Sequence, residues 1–191
     1  MAGHENDLES LAITLSKSVA SILREKAELK LSKEPEVKKK YIIEYNGRMR
    51  ADGMEKFNDP TFVSVVNYFA TAKDMEKKNI LGALIVYVQQ EYIATLLRLL
   101  KYPPVDDENE NAMLDACGTL CNIVAGRFKS EISTLGFIEL EMSPFSNYKN
   151  SASNGVGFCY KEYDKYELTF YLENKKRLVV EMTMGPIPKR K

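Results

Sequence analysis

The stretch Asp115-Ala-Cys-Gly-Thr-Leu-Cys-Asn122-Ile-Val-Ala-Gly-Arg127 lies within a longer helical pattern that begins near Asp106 and stops at Gly136. At about 100° per residue, one side of this predicted helix is polar and the opposite side is apolar. The polar stripe consists of Asp115, Thr119, Asn122, Gly126, Lys129 and Ser133. The apolar side consists of Met113, Cys117, Leu120, Val124, Phe128 and Leu135. An asparagine in mid-helix costs helix propensity, so Asn122 is a candidate functional residue, although a solvated polar face would show the same pattern.

The chain before this helix predicts one helix, three strands and a second helix. Apolar residues recur at helical spacing over residues 7–31, which predicts an amphipathic first helix. The β-branched and aromatic runs at 41–45, 62–69 and 80–89 predict strands, of which the last two form a hairpin across a charged turn at 73–79. A short helix is predicted over residues 91–101. It ends there because Pro103 and Pro104 cannot continue it.

The long helix and the chain after it complete an α+β pattern. Asp106 or Asp107 is the predicted cap of the long helix, with Glu108 and Glu110 in its first turn. Four strands are predicted at 138–145, 156–163, 166–172 and 177–184, with a polar loop at 147–154. We therefore predict a single α+β domain, a mainly antiparallel sheet packed with about three helices, over residues 7–185. Residues 1–6 are predicted as a flexible N-terminus and residues 186–191 as a frayed, basic C-terminal tail.

Composition limits the classes of partner. The chain has 191 residues with 45% hydrophobic content, and its 27 Lys and Arg residues balance 27 Asp and Glu residues. This balance argues against nucleic acid or an anionic membrane as a partner. The start of the chain lacks a signal-peptide pattern, and the longest apolar run, residues 80–88, is too short to span a bilayer. We expect a cytoplasmic protein.

The usual catalytic side-chain combinations are missing. The only histidine is His4, which excludes Ser/His/Asp and Cys/His nucleophile arrangements, and no glycine-rich phosphate-binding motif occurs. Three cysteines fit a reducing compartment, and Cys117 and Cys121 are predicted core residues. A soft metal shared with Cys159 would lack histidine ligands, so no metal site is expected.

The spacing of Asp115, Thr119 and Asn122, followed by Ala-Gly-Arg at 125–127, resembles a known helix signature. It is similar to the Asp/Ser-xxx-Glu-xx-Asn signature of the CheC/CheX/FliY family of chemotaxis phosphatases, and its single copy resembles the CheX branch. The run at 82–88 followed by 91–100 also resembles the strand and helix that precede the signature helix there. The resemblance covers most of residues 7–184. Asp115 and Asn122 match the signature, whereas Thr119 stands where the family carries glutamate.

The resemblance implies a protein that acts on a phosphorylated CheY-type response regulator. Asn122 would orient the water that attacks the aspartyl phosphate, while Mg²⁺ is expected on the regulator and no cofactor on this chain. The family glutamate reaches a lysine of the regulator, so Thr119 predicts weakened hydrolysis, by about 2 to 4 kcal/mol. Asp115 is a candidate to take over this lysine contact, or is an ordinary exposed aspartate.

Two further positions of the polar stripe are predicted to bind the partner. Gly126 would let the partner's backbone approach closely, and Lys129 would face an acidic surface of the regulator. The alternatives are a glycine required where this helix crosses another and an exposed lysine without a role.

A second hypothesis is a non-catalytic module that binds the regulator or forms a dimeric scaffold. The resemblance implies a homodimer joined through sheet edges, and the closing strands, with Tyr160, Tyr163, Tyr166 and Tyr171, would supply such an edge. These tyrosines are equally expected as ordinary strand formers. A third interpretation is a flagellar switch component.

Overall fold

The computed structural model describes residues 2–27, 30–106 and 108–190, which form an α+β domain. Its five α-helices and nine strands follow along the described chain in this order: α1 (Ala2–Ala27), β1 (Glu36–Tyr41), β2 (Glu44–Tyr45), β3 (Arg48–Met49), α2 (Met54–Phe57), β4 (Thr61–Phe69), α3 (Ala72–Glu76), β5 (Gly82–Gln89), α4 (Ile93–Leu99), α5 (Glu110–Thr134), β6 (Glu141–Met142), β7 (Ser146–Lys149), β8 (Asp164–Leu172) and β9 (Lys175–Met184). A turn of 3₁₀ helix, Gln90–Tyr92, precedes α4.

Seven strands form one antiparallel sheet in the order β1-β8-β9-β5-β4-β6, with β7 also paired to β4. Strands β2 and β3 form a separate hairpin at Asn46 and Gly47, where positive φ angles of 51° and 72° suit these two residue types. The predicted fold class, an α+β domain with a mainly antiparallel sheet, is confirmed.

The sheet separates two apolar cores. Helices α1, α4 and α5 pack on one face around Leu15, Leu96, Leu120 and Phe128. The other face carries a smaller core that includes Met49, Ile85 and other residues from β3, β4, β5, β9 and the loop at 152–158. Because both faces are covered, β4 and β5 are buried along nearly their whole length, which explains their continuous apolar sequences. The predicted β4–β5 hairpin is confirmed.

The first predicted strand was misplaced. The sequence indicated 41–45, but the sheet takes residues 36–41 as β1, and 44–45 belong to the small hairpin. β1 is an edge strand whose side chains are nearly all exposed, so it lacks the apolar alternation by which strands are predicted. Its lysines at 38–40 are typical of an edge protected against further pairing.

The segment between α5 and β8 also differs from the prediction. Of 138–145 only Glu141–Met142 is a strand, and 156–163 makes a single bridge, from Val156 to Met49. Conversely, β7 overlaps the start of the predicted loop at 147–154 and pairs with Phe62–Val65 of β4. Pairing with a tertiary neighbour, which the local sequence does not reveal, decides these assignments.

Both ends of the domain extend further than predicted. Helix α1 begins at Ala2 and takes in residues assigned to the N-terminus, since no proline interrupts them. Residues 186–190 are not a frayed tail: the Ile138 amide donates to the Pro188 carbonyl at 2.9 Å, and the Arg190 amide donates to the Gly136 carbonyl at 2.9 Å. Lys191 lies outside the described residues. The helix count of three was too low because α2 and α3, of four and five residues, connect strands and lack a helical apolar period.

The closing strands cannot supply a free edge. β8 lies between β1 and β9, and β9 lies between β8 and β5, so both are interior strands. Tyr166 and Tyr171 belong to β8, while Tyr160 and Tyr163 are exposed in the loop before it. The predicted role of these tyrosines in edge pairing was therefore wrong. None of the described helices is long and apolar enough to cross a membrane.

Candidate functional site

Helix α5 carries every candidate site residue, and its start is set by Asn109. The Asn109 backbone is extended, with φ −98° and ψ 101°, and its side chain accepts a hydrogen bond from the Ala112 amide at 3.2 Å. The predicted cap was wrong, because the Asp106 carboxylate accepts from the Glu108 amide at 3.1 Å, within the preceding turn. Asp107 lies outside the described residues. Asn109 thus marks where α5 begins, a few residues after the loop that follows α4.

The apolar side of α5 is buried as predicted, with one exception. Met113, Cys117, Leu120, Val124 and Phe128 all lie in the core. Leu135 is 49% exposed, because the helix ends at Thr134 and the chain leaves the helical direction there.

Cys117 and Cys121 are core residues, as predicted. Burial raises the pKa of the Cys117 thiol well above its usual value and that of Cys121 to about 12. The Cys121 thiol donates to the Ser64 carbonyl at 3.5 Å, so both thiols stay protonated in the core. Cys159 lies elsewhere, against Gly185. Within the described part of the chain, no three His, Cys, Asp or Glu side chains come together as a metal site would require.

The polar stripe faces away from the core. Asp115 and Asn122 are exposed, and Thr119, Gly126, Lys129 and Ser133 are half-buried. By the helical rise, Asn122 lies about 4.5 Å along the axis from Thr119 and about 10 Å from Asp115. The structure thus brings the predicted residues onto one face of one rigid helix.

Asn122 presents an uncommitted amide. Its side chain is exposed, and among the described residues it has no hydrogen-bond partner. An amide offers two donor hydrogens and an acceptor oxygen, so it is able to hold a water molecule by both kinds of bond. An asparagine that stabilised the helix would instead sit at its end, as Asn109 does.

Thr119 is committed to its own helix. Its hydroxyl donates to the Asp115 carbonyl, one turn earlier, at 3.0 Å. This bond uses the only proton that the side chain has to offer. Thr119 therefore brings neither a charge nor a free hydrogen-bond donor to the polar stripe of α5.

Gly126 and Gly118 serve different purposes in α5. A Cβ at Gly118 would collide with the ring of Phe145, so this glycine lets the aromatic ring pack on the helix. A Cβ at Gly126 would meet no atom within 4 Å. The alternative in which Gly126 is required by a helix crossing is therefore wrong.

The C-terminal part of the stripe already has partners. The Lys129 ammonium lies 3.5 Å from the Glu139 carboxylate, and the Arg190 guanidinium donates to the Ser133 hydroxyl. At the N-terminal part, by contrast, Asp115 has no ion-pair partner among the described residues. The uncompensated charge of the stripe is thus at its acidic end.

A groove flanks the Asp115 end of the stripe and was not predicted. It has a volume of about 370 Å³ and lies between α5 and residues 102–106, the loop that follows α4. We call it the proline groove, after Pro103 and Pro104 in its wall. The sequence marks these prolines only as the end of a helix, because the groove arises when the loop folds back against α5.

Two larger cavities, of about 500 and 540 Å³, lie beside the β2–β3 hairpin and share no residue with the stripe. In the first, Arg48 donates to the Gly155 carbonyl at 3.2 Å, and Arg50 is paired with Asp52 and Glu55. Because the arginines of this first cavity already have partners, we favour the polar stripe of α5 as the functional site.

Comparison with solved structures identifies proteins of the same fold. The sequence matches no protein-family model and has no significant match among curated proteins. A CheC-like protein from Shewanella sp. PV-4 is 17% identical over 88% of this chain and 92% of its own, with a TM-score of 0.54. CheX from Borrelia burgdorferi, in a complex with CheY, BeF3 and Mg²⁺, is 16% identical over 92% and 98%, with a TM-score of 0.56. FliY from Thermotoga maritima is 15% identical over 92% and 90%, with a TM-score of 0.51.

Proposed function

Since this chain has the fold of the CheC/CheX/FliY proteins, we propose that it acts on a phosphorylated CheY-type response regulator and promotes hydrolysis of its aspartyl phosphate. The observation that carries the proposal is the exposed Asn122 amide, which has no partner among the described residues and stands on the displayed face of α5. The complex of Borrelia CheX with CheY supports a regulator of that type as the partner.

The chemistry needs little from this chain. In phosphoryl transfer the water must lie in line with the phosphorus, and the charge on the phosphoryl oxygens must be neutralised. Mg²⁺ held by the regulator would supply the neutralising charge. The Asn122 amide would hold the water by accepting a hydrogen bond from it or by donating one to its oxygen. No proton would pass to or from Asn122. This division of labour suits a chain whose only histidine is His4.

Thr119 sets the expected rate. In the family signature a glutamate at this position would add a charged contact to the regulator, whereas Thr119 is neutral and bonded to the Asp115 carbonyl. Losing one charge-assisted contact in a desolvated site costs about 2 to 4 kcal/mol, or about 30- to 1,000-fold in rate. We therefore expect a slow phosphatase.

The same observation favours a second candidate, a module that binds the regulator without hydrolysing its phosphate. It would use the same face of α5 and have no measurable turnover. If such a module is a dimeric scaffold, its copies would meet at the β6 and β7 edge, because β8 and β9 are interior and the lysines of β1 oppose pairing.

The decay of a phosphorylated CheY-type regulator from the same genome distinguishes the two. We expect wild type to accelerate decay, Asn122→Ala to abolish the acceleration, and Thr119→Glu to increase it. Asn111→Ala, an exposed asparagine about 16 Å along the same helix, is the matched control and should behave as wild type. Binding without acceleration by wild type would favour the non-catalytic module, and no binding would refute both.

A further inference from the structure

We propose that the proline groove binds a lysine or arginine side chain on the surface of the response regulator and thereby selects which regulator docks. This inference rests on the proposed function and adds a specificity site to it. The site is separate from the position that we assign to the attacking water.

The groove has a preformed apolar wall. Leu97, Tyr102 and Val105 contribute to it together with the two prolines. Proline fixes its own φ, so the loop conformation that makes this wall needs little ordering when a partner binds. Its volume of about 370 Å³ falls within the range of sites that hold small organic groups, and one long side chain would fit.

The groove is acidic. Two carboxylates, Asp106 and Asp115, belong to its lining, which includes no basic residue among those that the structure describes. Neither carboxylate forms an ion pair within the described residues, and the Asp106 side chain accepts a hydrogen bond only from the Glu108 amide. The two carboxylates therefore lack a counter-charge when the groove is empty, and they attract a cation to it.

An apolar wall and an acidic lining together define one kind of occupant. A lysine or arginine has a long aliphatic stem and a cationic end, so its stem would cover Tyr102 and Val105 while its charge approaches Asp106 and Asp115. An inorganic cation would leave the apolar wall in water, and an apolar side chain would leave both carboxylates unpaired. The groove therefore suits a basic side chain of a protein.

The place of the groove makes it a specificity site. Asp115 lies two turns before Asn122, about 10 Å along the helix axis. A regulator whose phosphoryl group meets Asn122 would present a different part of its surface to the groove. Charge pairs of this kind, outside the reacting centre, govern the rate and selectivity of docking.

The test measures binding of a BeF3-activated regulator from the same genome to wild type and to matched charge variants. Asp115→Asn and Asp106→Asn are each expected to weaken binding about 3- to 30-fold, with a smaller effect at high salt. Glu108→Gln removes an exposed charge beside the groove but outside its lining, and should change binding less than about 2-fold. Thermal melts of all variants control for folding.

A second pair of variants tests the groove by shape. Ala112→Leu places a larger side chain in the groove and should weaken binding at least as much, whereas Asn111→Leu, at the neighbouring exposed position, should not. Wild-type affinity in both aspartate variants would overturn this inference and leave the proposed function standing. The absence of any regulator binding by wild type would overturn both. Loss of a dimer in Asp115→Asn, seen by light scattering without regulator, would assign the groove to a second copy of the chain and overturn the inference.

Discussion

At the residue scale, Gly126 lowers the stability of α5 without any packing reason. A Cβ there would meet no atom within 4 Å, and glycine within a helix costs about 0.5 to 1 kcal/mol relative to alanine. We expect Gly126→Ala to raise the free energy of unfolding by that amount in urea titrations. If the regulator's backbone approaches this face, the same variant should bind the regulator more weakly.

Gly118→Ala is the matched control, because it adds the same methyl group to the same helix, at a position that packs against Phe145. Its Cβ would collide with the ring of Phe145, so it should lower the free energy of unfolding by about 1 to 3 kcal/mol. Equal effects of the two substitutions would contradict this interpretation of Gly126.

Thr119 permits a second test at this scale. Thr119→Val keeps the shape and replaces the hydroxyl that donates to the Asp115 carbonyl with a methyl group. Because that hydroxyl does not serve the displayed face, we expect the rate of regulator dephosphorylation to stay within about 2-fold of wild type, below the loss typical of a catalytic hydrogen bond. A large loss would make the hydroxyl part of the chemistry.

Helical periodicity was enough to predict which residues α5 displays. Asp115 and Asn122 are exposed as expected because the period holds as long as the helix does. Leu135 was placed wrongly because the period stops at Thr134. The proline groove was missed for another reason: Asp106 and Asp115 line one groove only because the loop after α4 folds against α5, and no local pattern encodes that approach.

At the element scale, α5 depends on its capping residue. The Asn109 side chain accepts a hydrogen bond from the Ala112 amide, and losing such a cap costs about 0.5 to 2 kcal/mol. Asn109→Ala should lower the free energy of unfolding by this amount in urea. Asn111→Ala, two residues later and inside the helix, should leave it unchanged or raise it slightly, because alanine is the better helix former.

Strands were predictable where burial gave them a pattern. β4, β5, β8 and β9 are buried, and their β-branched and aromatic residues identified each one. β1 is exposed and rich in lysine, and β7 is short and partly exposed, so both exist through pairing with neighbours rather than through their own sequences. Residues 156–163 show the opposite case: Val156 and Phe158 pack on the second face, but the segment adds no strand to the large sheet, and Tyr160 and Tyr163 are exposed.

At the scale of the whole molecule, a buried charge cluster holds α2 against the sheet face opposite the helices. The Lys56 ammonium lies 2.5 Å from Glu181 and 2.6 Å from Glu167, and Lys165 lies 2.8 Å from Glu181. The Tyr87 hydroxyl donates to the second oxygen of Glu181 at 2.7 Å. Glu181 is fully buried, so its charge depends entirely on these partners.

Removing the Glu181 charge should therefore be costly. Glu181→Gln leaves two buried lysines with one carboxylate fewer, and breaking a buried ion pair costs about 3 to 5 kcal/mol. Urea titration at neutral pH measures the loss. Glu55→Gln, in the same helix as Lys56, removes an exposed pair with Arg50 and should cost less than about 1 kcal/mol. If Glu181→Gln lowered the free energy of unfolding as little as Glu55→Gln, the cluster would not stabilise the fold.

The same cluster predicts how the protein unfolds in acid. Burial alone would raise the pKa of Glu167, but hydrogen bonds from Lys40 and Lys56 outweigh it and lower the pKa to about 2. A carboxyl whose folded pKa lies below its unfolded value stabilises the fold above the unfolded pKa, about 4.3, and this contribution is lost as the pH falls toward 2. We therefore expect the difference in unfolding free energy between wild type and Glu167→Gln to be constant from pH 7 to about 5 and to shrink steadily from there to pH 2.5. Urea titrations across this range measure it, and a difference that stays constant to pH 2.5 would mean that Glu167 is not held ionised by its two lysines.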